Sequence, residues 1–189
     1  LSSPELTILL KDGFFLGRMF SRTLKVCGIE RAALEKKIGD IISEYAVSLS
    51  EHEAEIHVQF SAATEEALAN IEQELQSVLE DLIFGKDEDT LEGTVGNLLR
   101  KHELKIAVAE SCTGGELTGQ LTDIPGSSDY LMAGIVCYSN EAKTKLVNVS
   151  SKTLLQHGAV SATTADEMAA GVRIVMDTRF PEEEGARLT

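Results

Sequence analysis

The chain has 189 residues, a formal net charge of −14, 43% hydrophobic and 25% charged residues, a globular composition long enough for one large domain or two small ones. Its acidic balance argues against a broad electrostatic grip on nucleic acid or on an anionic membrane surface. No apolar run nears the roughly 18 residues of a membrane span, and the opening LSSPELTILLKDGFF lacks the basic start and small-residue cleavage site of a signal peptide.

In chain order, Leu6 to Leu10 is a strand candidate, and Gly13 and Gly17 mark turns. Thr23 to Cys27 reads as a short strand ending at Gly28, and Arg31 to Tyr45 as one helix with Leu34, Ile38, Ile41 and Ile42 on a stripe. The coil from Tyr45 to Glu55 suggests a gap in the chain. Ile56, Val58 and Phe60 alternate with His57 and Gln59 in a half-exposed strand. Thr64 to Phe84 is the clearest helix, with Thr64 as N-cap, an apolar stripe from Leu68 to Leu82, and Gly85 as C-terminal cap. The run Lys86-Asp87-Glu88-Asp89 reads as a solvated acidic joint.

Beyond Thr90 the pattern changes. Leu91, Val95, Leu98 and Leu99 line a helix, and the apolar run in LKIAVAESCTGG, beginning at Leu104, reads as a buried strand. This strand stops at Glu110 and turns through Ser111-Cys112-Thr113-Gly114-Gly115 into a helix that ends near Thr122. Leu131 to Cys137 is a second strand, left through Tyr138-Ser139-Asn140, with Asn140 as cap of a helix running to Val147. Ser150 or Ser151 opens another helix, closed at Gly158, and Thr164-Ala165-Asp166-Glu167 matches a capping box for a helix to about Val175. Strand and helix alternate, as in parallel sheets covered by helices.

Strand, tight polar turn and helix together put ligand-facing groups at the carboxyl end of a sheet. Ser111 and Cys112 compete there as nucleophile, and serine needs an adjacent base. No histidine lies nearby, since His102 and His157 sit at helix ends. If the two strands are parallel neighbours, Ser111 and Tyr138 emerge at one rim, and Lys143 reaches back over it, with Lys145 as a second cation. A lysine base must be neutral when it acts. Such a set suits acyl transfer on an amide, with turn N–H groups from Cys112 to Gly114 facing the oxyanion. The same glycine turn could instead hold a phosphate at a helix start, or be a plain capped turn with Cys112 a packed thiol. Glu110 is either a buried carboxylate that orients the turn or a plain strand-end acid. Cys27, Cys112 and Cys137, odd in number and far apart, with only four histidines in the chain, fit no disulfide framework or zinc site and suggest a reducing cytoplasm.

The motifs ESCTGG, DIPGSS, YSNEAK and HGAVS, in that order, resemble the C-terminal domain of the CinA family over about residues 90–178. Residues 23–85, with RTLKVCGIERAALE and IFGKDEDTLE, resemble its middle, KH-like domain. The resemblance implies an α/β three-layer sandwich with a mainly parallel sheet at 87–189, preceded by a small α+β KH-like domain at 23–86 and a remnant or linker of a further domain at 1–22. It implies a cytoplasmic amidase that hydrolyses nicotinamide mononucleotide to nicotinic acid mononucleotide and ammonia in pyridine nucleotide salvage, without metal or cofactor. Ser111, Tyr138 and Lys143 are its implied catalytic residues, and Cys112, Thr113, Gly114 and Asn140 its implied substrate contacts. The implied partners are a small-molecule substrate and further copies of the chain, with no membrane; the charge of −14 and the lack of a GxxG loop in the KH-like unit weaken a nucleic-acid partner. The alternative is a non-catalytic nucleotide-binding or scaffold module of a competence/damage-inducible protein.

Two departures from the family pattern shape the expectation. The family continues past the last helix into a strand, a TGIAGP-type loop and a KPVG segment, whereas Met176-Asp177-Thr178 here runs into RFPEEEGARLT. A segment of some tens of residues is therefore expected to be missing at that junction. The large domain credited in the family with metal-dependent ADP-ribose pyrophosphatase activity is expected to be absent apart from about the first 20 residues, and that activity is not assigned.

Overall fold

The computed structural model describes residues 19–52 and 54–176, with the backbone of Glu5–Leu6. It divides into two units, residues 1–91 and 92–189.

The first unit is an antiparallel sheet backed by helices. Its elements are β1 (Glu5–Leu6), β2 (Met19–Cys27), α1 (Arg31–Lys37), α2 (Gly39–Glu44), β3 (Val47–His52), β4 (Glu55–Ala62), α3 (Glu65–Leu79) and β5 (Ile83–Lys86). The sheet runs β1-β2-β4-β3, and β5 pairs with the same edge of β2 that β1 uses. Alternation along the strands sends Leu24, Val26, Ile56, Val58 and Phe60 to one face, where they meet Leu34, Ile38, Leu68, Ile71, Leu75 and Leu79 from the helices. Each such buried aliphatic side chain stabilises the unit by about 1.5–3 kcal/mol before chain entropy is counted.

Several expectations are corrected in this unit. The helix read over Arg31 to Tyr45 is two helices, because Ile38 leaves helical geometry (φ −109, ψ 16) and Gly39 starts the second. The stretch from Tyr45 to Glu55 holds β3, hairpin-paired with β4 from Val47↔Phe60 to His52↔Glu55, and not a gap. The long helix stops at Leu79, where Glu80 takes φ +46, and a short 3-10 turn leads into β5. Gly85 is therefore a strand residue opposite Lys25 and caps nothing. The acidic joint is bonded as well: Asp87 Oδ1 accepts from the Thr23 N–H at 3.0 Å, and Asp89 Oδ2 from the Lys86 N–H at 2.9 Å. Of the strand expected at Leu6 to Leu10, residues 7–10 lie outside the described residues, as do Gly13 and Gly17.

In the second unit the elements alternate: α4 (Leu91–Lys101), β6 (Ile106–Glu110), α5 (Glu116–Thr122), β7 (Leu131–Val136), α6 (Asn140–Val147), α7 (Ser151–His157) and α8 (Ala162–Val175). Strands β6 and β7 are parallel neighbours, ending in register at Glu110↔Val136. Helices cover both faces of this pair. Val108 joins Leu121, Tyr130, Val95 and Leu99 on the α4–α5 side. Ala107 and Ala109 join Val147, Met168 and Val172 on the α6–α8 side. Small alanines on that side let α8 come close, and Gly171 does the same against α6, since a Cβ there would overlap the Val147 carbonyl. The fold is thus an α/β sandwich of helix, parallel sheet and helix after a small α+β unit.

Two helix starts differ from expectation. Ser139 caps α6, accepting from the Ala142 N–H at 3.0 Å, and Asn140 is its first helical residue. Ser161 caps α8, accepting from the Thr164 N–H. The supposed capping-box acid Glu167 instead binds the Ser150 N–H at 2.7 Å and the Thr153 hydroxyl at 2.5 Å, tying α7 to α8. Those two bonds hold its carboxyl below the usual carboxylate range. The junction at Asp177-Thr178-Arg179 lies outside the described residues.

Candidate active site

The site starts from the pairing of β6 and β7. The Glu110 carbonyl accepts from the Cys137 N–H at 2.7 Å, which sets Ser111 beside the end of β7. One helical turn into α6 stands Lys143, whose whole side chain is 1% exposed. Its Nζ donates to Ser111 Oγ at 2.8 Å, to the Cys137 carbonyl at 2.7 Å and to the Tyr138 carbonyl at 3.4 Å. All three acceptors are neutral, so among the described residues the ammonium is solvated by the protein without a carboxylate partner. An uncompensated buried charge of this kind is costly and is seldom kept for stability alone. The neighbouring Cys137 thiol is pushed up by burial, with the Lys143 charge opposing.

The turn between Ser111 and α5 is held from below by Glu110, itself 4% exposed. One carboxylate oxygen accepts from the Thr113 hydroxyl at 2.7 Å and from the N–H groups of Gly115 and Leu117, each at 3.1 Å. The other accepts from the Thr118 N–H at 2.9 Å and the Thr118 hydroxyl at 2.5 Å. Burial works against ionisation here, but the bonds from Thr118, Thr113 and Leu117 outweigh it and lower the Glu110 carboxyl to about 2. Of the two sequence readings of Glu110, the buried, turn-orienting one holds. Its carboxylate also takes up the amino-terminal N–H groups of α5, where a free anion would otherwise sit.

The glycines make this turn possible. Gly114 and Gly115 adopt φ of +64 and +104, a region other residues rarely enter. On β7, Gly134 leaves the space into which Thr118 fits; a Cβ there would collide with its side chain. The Gly114 N–H is used within the turn, donating to the Ser111 carbonyl at 3.2 Å. Among the described residues the N–H groups of Cys112 and Thr113 have no acceptor, so two donors remain of the three expected from Cys112 to Gly114.

The structure brings Ser111, Lys143 and the backbone of Cys137 and Tyr138 together. It does not bring in the Tyr138 phenol, since the residue is 77% exposed at the rim and only its carbonyl meets Lys143. Cys112 is exposed and free. Thr113 turns its hydroxyl toward Glu110, and Gly114 faces open space. Asn140 lies in an exposed concavity with Glu141, Thr144, Ser151 and Leu154 that does not include Ser111. Lys145 is paired with Glu141 at 2.6 Å in solvent and adds no cation to the site. His157 lies near Glu167 at the end of α7. Thr118, Gly134 and Ser139 stand outside the residues expected to form the site; of these only Ser139 carries a local signal, being a residue type that favours an N-cap.

Alternating strands and helices that join a serine to a buried lysine at adjacent parallel strand ends, after an antiparallel α+β unit, define a two-unit α/β protein. Residues 88–181 match the CinA C-terminal domain, and residues 21–85 match the KH domain of damage-inducible protein CinA. The chain is 43% identical over 162 residues to a CinA-like protein of Syntrophus aciditrophicus, covering 81% of this chain and 39% of that protein. It is 36% identical over 173 residues to a CinA-like protein of Acaryochloris marina, covering 87% of this chain and 41% of that protein. It thus spans about two fifths of the length of the curated relatives it matches. Among solved structures it is similar to the competence/damage inducible protein CihA from Agrobacterium tumefaciens (39% identity, TM-score 0.46, 47% of this chain and 53% of that chain). The chain belongs to the CinA family. No helix among the described residues is long and apolar enough to cross a membrane.

Proposed function

We propose that the second unit hydrolyses the carboxamide of nicotinamide mononucleotide, with Ser111 as nucleophile and Lys143 as its base. The observation that carries this reading is the 2.8 Å contact between Lys143 Nζ and Ser111 Oγ, with the lysine buried among neutral acceptors. The carboxamide and the nucleotide come from the family resemblance. The 2.8 Å contact between Lys143 and Ser111 supports the serine–lysine chemistry.

In the proposed course, unprotonated Lys143 takes the Ser111 proton as Oγ attacks the carboxamide carbon. The N–H groups of Cys112 and Thr113 receive the oxyanion. The carbon–nitrogen bond breaks, Nζ returns its proton to the leaving ammonia, and an ester on Ser111 remains. Water, deprotonated by the same lysine, attacks the ester, releases nicotinic acid mononucleotide and restores the hydroxyl. Tyr138 contributes its carbonyl to hold Nζ and offers its ring at the rim for substrate contact. Thr113, Gly114, Cys112 and Asn140 are the other proposed contacts with the nucleotide.

Ammonia release from nicotinamide mononucleotide by the intact protein tests the reading. Ser111→Ala abolishes turnover on this account, while Cys112→Ala retains it. The reverse pattern makes the thiol the nucleophile, and unchanged turnover in Ser111→Ala removes the serine mechanism. The phosphate-cradle alternative loses support because the Glu110 carboxylate takes the N–H groups of Gly115, Leu117 and Thr118 that an anion would need.

A further inference from the structure

We propose that Glu110 is the positioning residue for the nucleophile: by clamping both ends of the turn that follows it, it sets Ser111 Oγ at Lys143 Nζ. The inference rests on Ser111 being the nucleophile, as proposed above, and adds the residue that fixes its geometry. Ser111 is joined to two frames. Through the Glu110 backbone carbonyl it is fixed to β7, by the 2.7 Å bond from Cys137. Through the Glu110 side chain it is fixed to α5, by bonds to Thr113, Gly115, Leu117 and Thr118. One residue thus ties the serine to the strand that delivers Lys143 and to the helix that closes the turn.

A carboxylate does this and a carboxamide does not. All five groups that face Glu110 are donors. A glutamine would accept from those facing its oxygen and turn an NH2 against the rest, leaving donors unpaired in a buried place. The turn then relaxes by a fraction of an ångström or more, and the Oγ–Nζ contact goes with it. The hydrogen bonds from Thr118, Thr113 and Leu117 hold the Glu110 carboxyl down to about 2, so the carboxylate is ionised at neutral pH. Thr118 is the second element of the device. It supplies two of the five donors, and Gly134 supplies the space it occupies.

A serine-directed fluorophosphonate reads the nucleophile without relying on any substrate. The labelling rate at Ser111 is followed by mass spectrometry in the intact protein and in Glu110→Gln, Thr118→Val and Thr118→Ser. Rates are normalised to the folded fraction from circular dichroism, with Ser111→Ala as the blank. The proposal predicts labelling slowed about tenfold to a hundredfold in Glu110→Gln, the size expected of a misplaced reacting group. Thr118→Val falls between, and Thr118→Ser, which keeps both donors, stays near the parent rate. In deamidation assays the loss falls on kcat with KM little changed, whereas a purely structural role lowers only the folded fraction. Folded Glu110→Gln labelled at the parent rate overturns the proposal. If Glu110→Gln does not fold, Thr118→Val decides, and labelling at the parent rate in that variant overturns it. Parent protein labelled at Ser111 but inactive on nicotinamide mononucleotide removes the substrate assignment and leaves the positioning claim to the labelling ratios. Parent protein unlabelled at Ser111 overturns both.

Discussion

Gly134 on β7 is the only residue type that fits beside Thr118 on α5, because any Cβ at position 134 would fall inside the threonine side chain. Thr118 in turn gives Glu110 both its backbone and its hydroxyl donor. A strand residue without a side chain is thereby coupled to the turn that carries Ser111. Gly134→Ala is expected to cost about 1–3 kcal/mol, the usual range for overpacking a filled site. It is also expected to lower turnover per folded molecule. Chemical denaturation and the ammonia assay on the same preparation check the two effects together.

Gly171 occupies the corresponding position on the other face of the sheet, where α8 crosses α6 at the Val147 carbonyl. Backbone cannot yield as a side-chain tip can, so Gly171→Ala must push the helices apart. The predicted loss is about 2–3 kcal/mol or more, at the upper end of overpacking costs. Thermal unfolding measures it. A stability equal to that of the parent protein would mean that α6 and α8 do not approach this closely.

The pH dependence follows from Glu110. Its carboxyl is lowered from 4.5 to about 2 in the folded protein, so the unfolded chain binds that proton first as pH falls. The stabilisation is therefore complete above about 4.5 and is lost as pH drops from there toward 2. The parent protein is expected to melt above Glu110→Gln at neutral pH, with the gap between them closing across that window. Melting curves of both proteins at stepwise lower pH test it, and a constant gap contradicts it.

Tyr138 separates two views of the rim. Tyr138 is 77% exposed and meets Lys143 only through its carbonyl, so the ring has no proton to pass within the resting site. Tyr138→Phe keeps the carbonyl and the ring, and is expected to change turnover by less than about threefold, far below the 10²–10⁴-fold typical of a proton-transferring group. Steady-state kinetics with nicotinamide mononucleotide decides between them. A loss of a hundredfold would restore the phenol to proton transfer.

The chain sequence made the skeleton of the site legible, because strong local signals coincide there. The apolar run from Ile106 to Ala109 ends at a polar turn with two glycines, and the second apolar run ends at Tyr138-Ser139-Asn140. Two such ends in a parallel pair put Ser111 and Lys143 within reach of each other. What stayed hidden depends on contacts across the fold. The clamp at Glu110 needs Thr118 eight residues on and the gap at Gly134 on another strand, and neither leaves a local pattern. The break at Ile38 was masked by an apolar stripe that continues through it. Ile83 to Lys86 looked like the end of a helix because apolar residues suit either state; the open edge of β2 decided it. Local pattern does not separate Ser139 from Asn140, or Ser161 from Thr164, as the cap, since hydroxyl and amide side chains compete for the same role.

In the proposed reaction Ser111 and Lys143 act as one unit. The most direct measurement compares ammonia release from nicotinamide mononucleotide by Ser111→Ala, by Lys143→Met and by the protein carrying both changes. Each single change is expected to lower kcat by about 10³-fold or more, and the double change to fall no further, because members of one catalytic unit are not additive. Near-parent turnover in Lys143→Met, or losses that multiply in the double variant, would contradict the account.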